Sequence, residues 1–324
     1  MRAVLCKEFG PPESLVVEEV ADPQPGRGQV LIDVAAAGVN FPDVLIIQNQ
    51  YQFKPPLPFT PGGEIAGTVA QLGEGVTTLK VGDRILASTG VGGFAERVVI
   101  KAESAVPIPD EMDFVTASAF LFTYGTSHYA LKDRGHLRSG ETLLVLGAAG
   151  GVGLAAVELG VVMGARVIAA ASTDDKLEVC RQHGAHEVIN YSTEDLKQRV
   201  KELTGGLGAD VVYDPVGGDY AEAALRATAW EGRFLVIGFT AGIPRPPLNL
   251  VLLKGCDIVG VFWGAFVMRD PQRHLANVAE LMEWFVAGKL KPHVSGTYPL
   301  ANVADALNEV GNRKVKGKVV ITPA

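Results

Sequence analysis

The chain has 324 residues, which at roughly 150 residues per domain predicts about two domains. Its 48% hydrophobic and 20% charged residues exclude a mainly disordered protein, and its 38 glycines follow no collagen-like period of three. With 29 basic and 36 acidic residues the net charge is −7, which argues against nucleic acid or an anionic membrane surface as the main partner.

The three cysteines are widely separated and form no paired motif. This argues against a disulfide framework or a structural zinc site, and it favours a reducing, cytoplasmic setting. No signal peptide fits before Lys7 and Glu8. The six histidines are scattered, and no Ser-His-Asp pattern or G-x-S-x-G motif indicates a hydrolase.

The first 120 residues or so contain short β-type segments separated by glycine-rich turns. This spacing predicts a compact, mostly antiparallel module. The predicted strands are Ala3–Lys7, Leu15–Glu19, Val30–Ala37, Glu64–Leu72, Arg84–Ala87 and Glu96–Ile100.

From about residue 123 to residue 260, apolar strands alternate with helices, which predicts βαβ units and a parallel sheet. The predicted strands are Thr142–Leu146, Arg166–Ala170, Glu187–Asn190, Asp210–Tyr213 and Arg233–Ile237. The predicted helices are Val152–Met163, Asp175–His183, Thr193–Leu203 and Tyr220–Thr228. The apolar run 143–165 is long enough to span a bilayer, but Glu158 and six glycines favour a strand, a glycine turn and a buried helix instead.

The last 60 residues or so return to the first pattern. Helices are predicted at Pro271–Ala287 and Val303–Val310, and β segments near Gly296–Tyr298 and at Lys318–Ile321. We therefore expect an α/β protein with a doubly wound parallel sheet in residues 123–262. A discontinuous β-rich domain would be formed by residues 1–122 and 263–324.

A glycine-rich turn follows the first strand of the predicted parallel sheet. Against the pattern G-x-G-x-x-G, the register is Ala148, Gly150 and Gly153, and Gly151 and Val152 lie between the two glycines. A glycine at the second position lets the backbone approach a pyrophosphate, and one at the third permits close packing of helix on strand. Because the turn lies between a buried strand and a helix, it predicts a dinucleotide-binding site.

The end of the next strand indicates which dinucleotide is bound. An NAD site places an acidic residue there to bind the ribose hydroxyls. Here Ser172 and Thr173 occupy that region, Lys176 follows within a helical turn, and Tyr191 ends the third strand. Hydroxyl, ammonium and phenol groups suit a 2′-phosphate, so NADPH is the predicted cofactor.

Asp174 and Asp175 would repel a phosphate at this position. We interpret them as N-capping residues of the helix that carries Lys176.

Several further motifs match one family across nearly the whole chain. The sequence resembles medium-chain dehydrogenases/reductases of the zinc-independent quinone oxidoreductase group. The matching segments are Gly38–Asp43, Pro61–Glu64, Ala148–Gly153, Ile189–Tyr191 and Val212–Gly218. The resemblance implies a GroES-like β-rich catalytic domain beside a Rossmann domain. It also implies a homodimer in which strand Asp257–Val261 pairs with its copy.

The resemblance also indicates whether the chain carries the zinc ligands of the superfamily. Zinc-dependent members of the superfamily carry cysteine where Asn40 stands and histidine where Gly63 stands. A zinc site needs three or four converging ligands, and Asp43 and Glu64 alone would not suffice. We therefore expect zinc-independent chemistry, with hydrogen-bonding or structural roles for these two acidic residues.

The same resemblance implies the residues on the acceptor side. The pattern of Asn40 and Asp43 followed by Tyr51 matches the group's substrate-side segment. It implies that Asn40 and Tyr51 line the space beside the nicotinamide, with Tyr51 donating a hydrogen bond to the acceptor oxygen. Leu45 and Ile47 replace a tyrosine and an arginine of many bacterial members, which predicts a more apolar pocket.

The resemblance assigns further cofactor contacts to the other domain. Thr126 matches a position on the nicotinamide side. Gly238, Phe239, Phe262 and Trp263 match segments that line the cofactor and acceptor, although aromatic residues there are equally typical of core packing.

The leading interpretation is an NADPH-dependent reductase of a quinone or similar conjugated carbonyl, because such acceptors need little activation beyond hydride. One alternative is reduction of an enoyl thioester or another enone, which the apolar Leu45 and Ile47 support. Another is a non-catalytic NADPH-binding protein.

Overall fold

The computed structural model describes residues 1–323. The chain forms two units: residues 1–122 and 292–323 make unit 1, and Thr123–Lys291 make unit 2. The strands are β1 (Arg2–Leu5), β2 (Val16–Glu19), β3 (Gln29–Gly38), β4 (Glu64–Leu72), β5 (Arg84–Ser88), β6 (Arg97–Lys101), β7 (Ala105–Pro107), β8 (Thr142–Leu146), β9 (Arg166–Ala171), β10 (Glu187–Asn190), β11 (Ala209–Asp214), β12 (Thr228–Val236), β13 (Asp257–Gly260), β14 (Val294–Pro299) and β15 (Lys318–Thr322).

Most of the helices lie after residue 113. They are α1 (Phe41–Ile47), α2 (Phe114–Ser118), α3 (Leu121–His128), α4 (Gly151–Val162), α5 (Asp174–Gln182), α6 (Leu196–Leu203), α7 (Tyr220–Ala227), α8 (Asn249–Lys254), α9 (Trp263–Arg269), α10 (Pro271–Val286) and α11 (Val303–Gly311). A π-helical turn at Tyr129–Arg134 continues α3.

Unit 1 is built on a seven-stranded sheet in the order β14-β15-β3-β4-β5-β7, with β6 also paired to β3. Every pair is antiparallel except β14 with β15. In the ladder Gly38 of β3 lies opposite both Glu64 of β4 and Val320 of β15. The end of β3 and the beginnings of β4 and β15 therefore meet at one place in the sheet.

Unit 2 is built on a six-stranded parallel sheet in the order β10-β9-β8-β11-β12-β13. Its central strands are mostly apolar and largely buried, as expected for strands covered on both faces. The strand order reverses direction between β8 and β11, which makes this the switch point of a doubly wound sheet. The predicted fold is confirmed, and its ligand-binding crevice is expected outside the carboxyl ends of β8 and β11.

The apolar run 143–165 forms β8, a turn and α4, as predicted. Within residues 1–323, no helix has the length and apolar character needed to cross a bilayer. The acidic residue in this run is buried but has partners: the Glu158 carboxylate accepts hydrogen bonds from the Tyr124 hydroxyl at 2.6 Å and the Lys291 N–H at 3.0 Å. It also bonds Nδ1 of His183 at 2.5 Å.

The second boundary between the units differs from the expected position after residue 262. Helices α9 and α10 belong to unit 2, and the boundary follows Lys291. Contacts inside unit 2 explain this: Glu280 of α10 bonds His128 at 2.8 Å, and Asn277 bonds Asp133 at 2.7 Å. Sequence periodicity predicted α10 but not which sheet it covers.

Candidate functional site

The glycine turn joins β8 to α4 at the switch point of the parallel sheet. Gly147 has a positive φ of 54°, which glycine adopts without strain. The Gly150 N–H donates to the Gly147 carbonyl at 3.0 Å, and Gly150 is the N-cap residue of α4. The first N–H groups of α4 and the positive end of its dipole therefore lie directly after the turn, which is the arrangement that binds phosphate.

The two glycines of the motif have different surroundings. A Cβ atom on Gly153 would lie 2.3 Å from the Gly147 carbonyl oxygen and 2.9 Å from Cα of Ala148. A Cβ on Gly150 would meet only the Gly147 oxygen, at 3.4 Å. Gly153 is therefore required by the packing of α4 on the turn, whereas the protein itself leaves space at Gly150. That space is where a pyrophosphate would approach the backbone.

The residues predicted for the 2′-phosphate lie at the carboxyl ends of β9 and β10. Ser172 and Thr173 follow β9, and Lys176 Nζ of α5 lies 3.4 Å from the Ser172 hydroxyl. Tyr191 follows β10, and its ring lies 4.5 Å from that of Tyr220. Because β9 and β10 are adjacent parallel strands, these groups lie at one edge of the sheet.

The two acidic residues beside Lys176 are not N-caps, contrary to the expectation. Thr173 is the N-cap, and Asp174 and Asp175 are the first two residues of α5, where carboxylates favour the helix dipole. Each is held by a neighbour: the Asn190 amide donates to Asp174 at 2.8 Å, and the Thr173 hydroxyl donates to Asp175.

Helix α3 lies against this part of unit 2. Thr126 is buried, and the next residue, Ser127, donates its hydroxyl proton to the Val152 carbonyl at 2.8 Å. The indole of Trp263 packs where Gly125 lacks a side chain, since a Cβ there would lie 3.0 Å from the ring. Trp263 is thus a packing residue in this structure, which is the alternative considered for it, and it fixes the position of α3.

The loops after β11 and β12 form the other side of the switch point. Asp214 accepts hydrogen bonds from the Val216 and Gly217 N–H groups at 2.8 and 2.9 Å, and burial raises the pKa of its carboxyl. The Gly238 N–H lies 3.4 Å from the Asp214 carbonyl, and Phe239 beside it is 42% exposed. Phe262, before α9, is 55% exposed, so both phenylalanines are accessible as predicted contact residues require.

A separate groove of about 700 Å³ lies beside these loops. Its walls carry charges of both signs from α6, α7 and the loop after β12, and it contains none of the predicted cofactor residues. The charged residues are Asp195, Lys197, Asp219, Glu222, Arg226 and Arg245. We therefore place the candidate nucleotide site at the glycine turn and not in this groove.

The predicted acceptor-side residues belong to unit 1, at the meeting point of β3, β4 and β15. Asn40, at 6% exposure, donates from Nδ2 to Glu64 at 3.1 Å, and its Oδ1 accepts from Lys318 Nζ at 2.7 Å. Lys318 Nζ also donates to the Val39 carbonyl at 2.9 Å and pairs with Glu64 at 3.1 Å. The other Glu64 oxygen accepts the Phe122 N–H at 2.7 Å. The amide of Asn40 is therefore held inside a buried, fully bonded network.

Asp43 lies beside this network on α1. Its carboxylate accepts the Asn40 N–H at 2.8 Å. The pKa of Asp43 is raised to about 7: burial and the charge of Glu64 raise it, while hydrogen bonds from Asn40 and Gly63 and the charge of Lys318 act in the opposite direction. Burial and the charge of Asp43 also raise the pKa of the Tyr51 phenol. Tyr51 is half-buried and packs on the core of unit 1.

The two positions that depart from bacterial relatives differ in accessibility. Ile47 is fully buried in the core of unit 1, so it does not form an accessible pocket wall in this structure. Leu45 is half-buried and remains the candidate for such a role. Across residues 1–323, no cluster of three or more His, Cys, Asp or Glu side chains is arranged to hold a metal ion.

Three residues that organise the site were missed in the sequence. Asp214 shapes the loop after β11, Ser127 ties α3 to the glycine turn, and Lys318 holds Asn40 and Glu64. Lys318 had a usable signal, because it begins an otherwise apolar strand and a lysine is seldom buried unless it is paired. Its partners lie more than 250 positions away in the chain, so spacing could not identify them.

The chain is similar to known protein families and to individual known proteins. Residues 26–110 match the alcohol dehydrogenase GroES-like domain, and residues 151–284 match the zinc-binding dehydrogenase domain. The quinone oxidoreductase-like protein 2 homolog of Nematostella vectensis is 43% identical and covers 99% of this chain and 88% of its own. Human quinone oxidoreductase is 33% identical over 99% and 97% of the two chains.

A solved structure shows the same similarity in three dimensions. Escherichia coli quinone oxidoreductase, crystallised with NADPH, superposes with a TM-score of 0.93, covers all of both chains and is 29% identical. The GroES-like match lies within unit 1, and the zinc-binding dehydrogenase match lies within unit 2. The chain therefore belongs to the quinone oxidoreductase family of the medium-chain dehydrogenase/reductase superfamily, a family of oxidoreductases.

Proposed function

We propose that the protein is an NADPH-dependent reductase that transfers hydride to a quinone or a similar conjugated carbonyl compound without using zinc. The observation that carries this proposal is the glycine turn between β8 and α4, at the switch point of the parallel sheet. The first backbone N–H groups of α4 follow directly on Gly150, where the protein leaves open space for a phosphate. At the end of β9, serine stands where an NAD site has an acid.

The residues present fit the proposed cofactor. The turn Ala148–Gly153 would hold the pyrophosphate, while Ser172, Lys176 and Tyr191 would bind the 2′-phosphate. Thr126, Gly238, Phe239 and Phe262 remain proposed contacts toward the nicotinamide. The bound cofactor supplies the hydride, and the protein supplies orientation and a proton.

The acceptor chemistry is assigned to Tyr51, Asn40 and Asp43 in unit 1. A quinone that receives hydride becomes an anion and needs one proton to give the hydroquinone. The Tyr51 hydroxyl is the proposed donor of a hydrogen bond to the acceptor oxygen, and burial and the charge of Asp43 raise the pKa of its phenol. Asn40 and Asp43 are the other proposed residues on the acceptor side, and Asp43, whose pKa is raised to about 7, can exchange a proton near neutral pH.

The cofactor assignment is tested by binding. Dissociation constants for NADPH and NADH are measured by fluorescence titration for the wild type, Lys176→Ala and the control Lys197→Ala. A contact between ammonium and phosphate stabilises binding by roughly 1–3 kcal/mol, so Lys176→Ala should weaken NADPH binding by about 5- to 150-fold. NADH binding should not change. Equal affinities of the wild type for both dinucleotides would overturn the assignment.

The acceptor is tested with a panel of quinones, enones and enoyl thioesters, using NADPH oxidation as the readout. Turnover of quinones that falls strongly in Tyr51→Phe supports the proposal. Turnover of enoyl thioesters alone would replace the quinone assignment. Tight NADPH binding without oxidation of any acceptor would indicate a non-catalytic binding protein.

We also propose that the protein is a homodimer formed through β13 and that it works in the cytoplasm. Strand β13 is the edge of the parallel sheet, and Ile258 on it is 40% exposed. Neighbouring segments expose Trp230 and Leu252, at 69% and 80%. An apolar sheet edge is a template for pairing with another strand. Light scattering should give twice the chain mass for the wild type and the control Val81→Lys, and a lower mass for Ile258→Lys.

A further inference from the structure

The buried network in unit 1 contains a residue to which the proposed reaction assigns no role. Lys318 is 5% exposed, and its ammonium group has three oxygen partners within 3.1 Å. These are the Val39 carbonyl, Oδ1 of Asn40 and Oε2 of Glu64. An ammonium group has three protons, so its hydrogen-bonding capacity is used completely.

These contacts determine how the amide of Asn40 is oriented. Because Oδ1 accepts from Lys318, Nδ2 must point the other way, where it donates to Glu64 at 3.1 Å and lies 3.3 Å from the Gly38 carbonyl. An amide with its oxygen at the Glu64 position would place two acceptors together. The backbone N–H of the same Asn40 holds Asp43, so Lys318 is linked to Asp43 through one residue.

The charges around Asp43 come from two strands. Lys318 lies on β15 and Glu64 on β4, and they act on Asp43 with opposite sign. The Tyr51 phenol responds to the charge of Asp43. Helix α11, which packs on α1, contributes apolar buried residues there, namely Val303, Ala306 and Leu307. Burial has the largest effect on the pKa of Asp43, and the charges of Lys318 and Glu64 adjust it in opposite directions.

We propose that Lys318 is a positioning residue for the acceptor side of the site: it fixes the amide of Asn40 and, together with Glu64, sets the charge that surrounds Asp43. This inference rests on the proposed function, because it gives Asp43 and Tyr51 a part in the reaction. It adds a residue at the far end of the chain to a site otherwise formed by residues 38–64.

The test compares four proteins that differ in buried charge: the wild type, Glu64→Gln, Lys318→Met and the double variant. Lys314→Met, which removes an exposed lysine of the same segment, is the matched control. The pH profile of kcat/KM for quinone reduction is measured for each protein. The midpoint of its change near neutral pH reports the proton of Asp43.

The inference predicts an order of midpoints. Glu64→Gln removes an anion and should move the midpoint down by about one pH unit. Lys318→Met leaves two carboxyl groups in one buried site without a cation, so the midpoint should move up by about one unit. The double variant should lie between them, and Lys314→Met should match the wild type. Single variants that shift in the same direction, or not at all, would overturn the inference.

A second measurement does not depend on turnover. The free energy of unfolding is measured in urea from pH 4 to pH 9. It should fall as pH rises until Asp43 has lost its proton, and the pH at which the fall ends should follow the same order among the variants as the kinetic midpoints. If no acceptor is reduced but this order appears, the proposed function fails and the control of Asp43 by Lys318 stands. If Lys318→Met does not fold, Glu64→Gln and the double variant still test the predicted order.

Discussion

The two glycines of the nucleotide turn provide a matched pair of substitutions. In Gly153→Ala the new Cβ would lie 2.3 Å from the Gly147 oxygen and 2.9 Å from Cα of Ala148. Both are backbone atoms, so relief requires α4 to move away from the turn by roughly 1 Å, since non-bonded heavy atoms settle near 3.5 Å. Overpacking of this kind costs about 1–3 kcal/mol, and the higher helix propensity of alanine offsets roughly 1 kcal/mol of it. We expect Gly153→Ala to lower the free energy of unfolding by up to about 2 kcal/mol.

Gly150→Ala should behave differently. Gly150 has φ −79° and ψ 171°, which alanine adopts freely, and the nearest atom to a new Cβ is 3.4 Å away. Alanine is a poorer N-cap than glycine, so we expect a loss of stability below about 1 kcal/mol. The methyl group would occupy the space for the pyrophosphate, so NADPH affinity should fall by at least about tenfold, which corresponds to roughly 1.4 kcal/mol.

The assays are urea unfolding of the free protein and fluorescence titration with NADPH. The expected pattern is a loss of stability in Gly153→Ala and a loss of binding with near-normal stability in Gly150→Ala. If Gly150→Ala binds NADPH as the wild type does, the pyrophosphate does not contact this turn. If Gly153→Ala is as stable as the wild type, the packing argument is wrong.

Three further predictions concern buried polar groups. Glu158→Leu removes the carboxylate that accepts from the Tyr124 hydroxyl and should lower the free energy of unfolding in urea by about 2–4 kcal/mol. Glu158→Gln should recover most of that loss, and equal losses in the two variants would contradict the prediction. Asp43 has a folded-state pKa of about 7, above its unfolded value, so its stabilising contribution is complete below about pH 4 and is lost as pH rises through 7. Asp43→Asn should remove up to about 4 kcal/mol of this pH dependence, and an unchanged profile between pH 4 and 8 would refute the assignment. Tyr213→Phe should cost only about 1 kcal/mol, because Ser127 keeps its backbone acceptor; a loss above about 3 kcal/mol would show a larger network.

Sequence patterns predicted unit 2 well because its elements are local. Strand β8, the glycine turn and α4 follow one another within 25 residues or so, and each has its own signal in apolar runs and glycines. Strand β12 shows the limit of this approach. It begins at Thr228, five residues before the prediction, because Ala209 of β11 pairs with Thr228 across the sheet. That contact is invisible to local periodicity.

The helices of unit 1 and the site beside them were harder to predict. Helix α1 spans seven residues and includes a proline, too short for a periodic signal, and α2 is shorter still. The position of Ile47 in the core could not be distinguished from a pocket position without the fold. Lys318 was counted only as the first residue of a strand, since its role depends on the pairing of β15 with β3.

The position of β15 has a consequence for how the protein is made. β15 lies between β14 and β3 in the sheet of unit 1, yet it is synthesised after the other strands of that sheet. On the ribosome, unit 2 is contiguous and complete before β15 emerges, so it can fold while unit 1 still lacks a strand of its sheet. During that interval Ala37 and Gly38 of β3 lack their partners on β15, and Glu64 lacks its cation. We expect nascent chains stopped before residue 318 to be protease-sensitive in residues 1–122 and protected in residues 123–291.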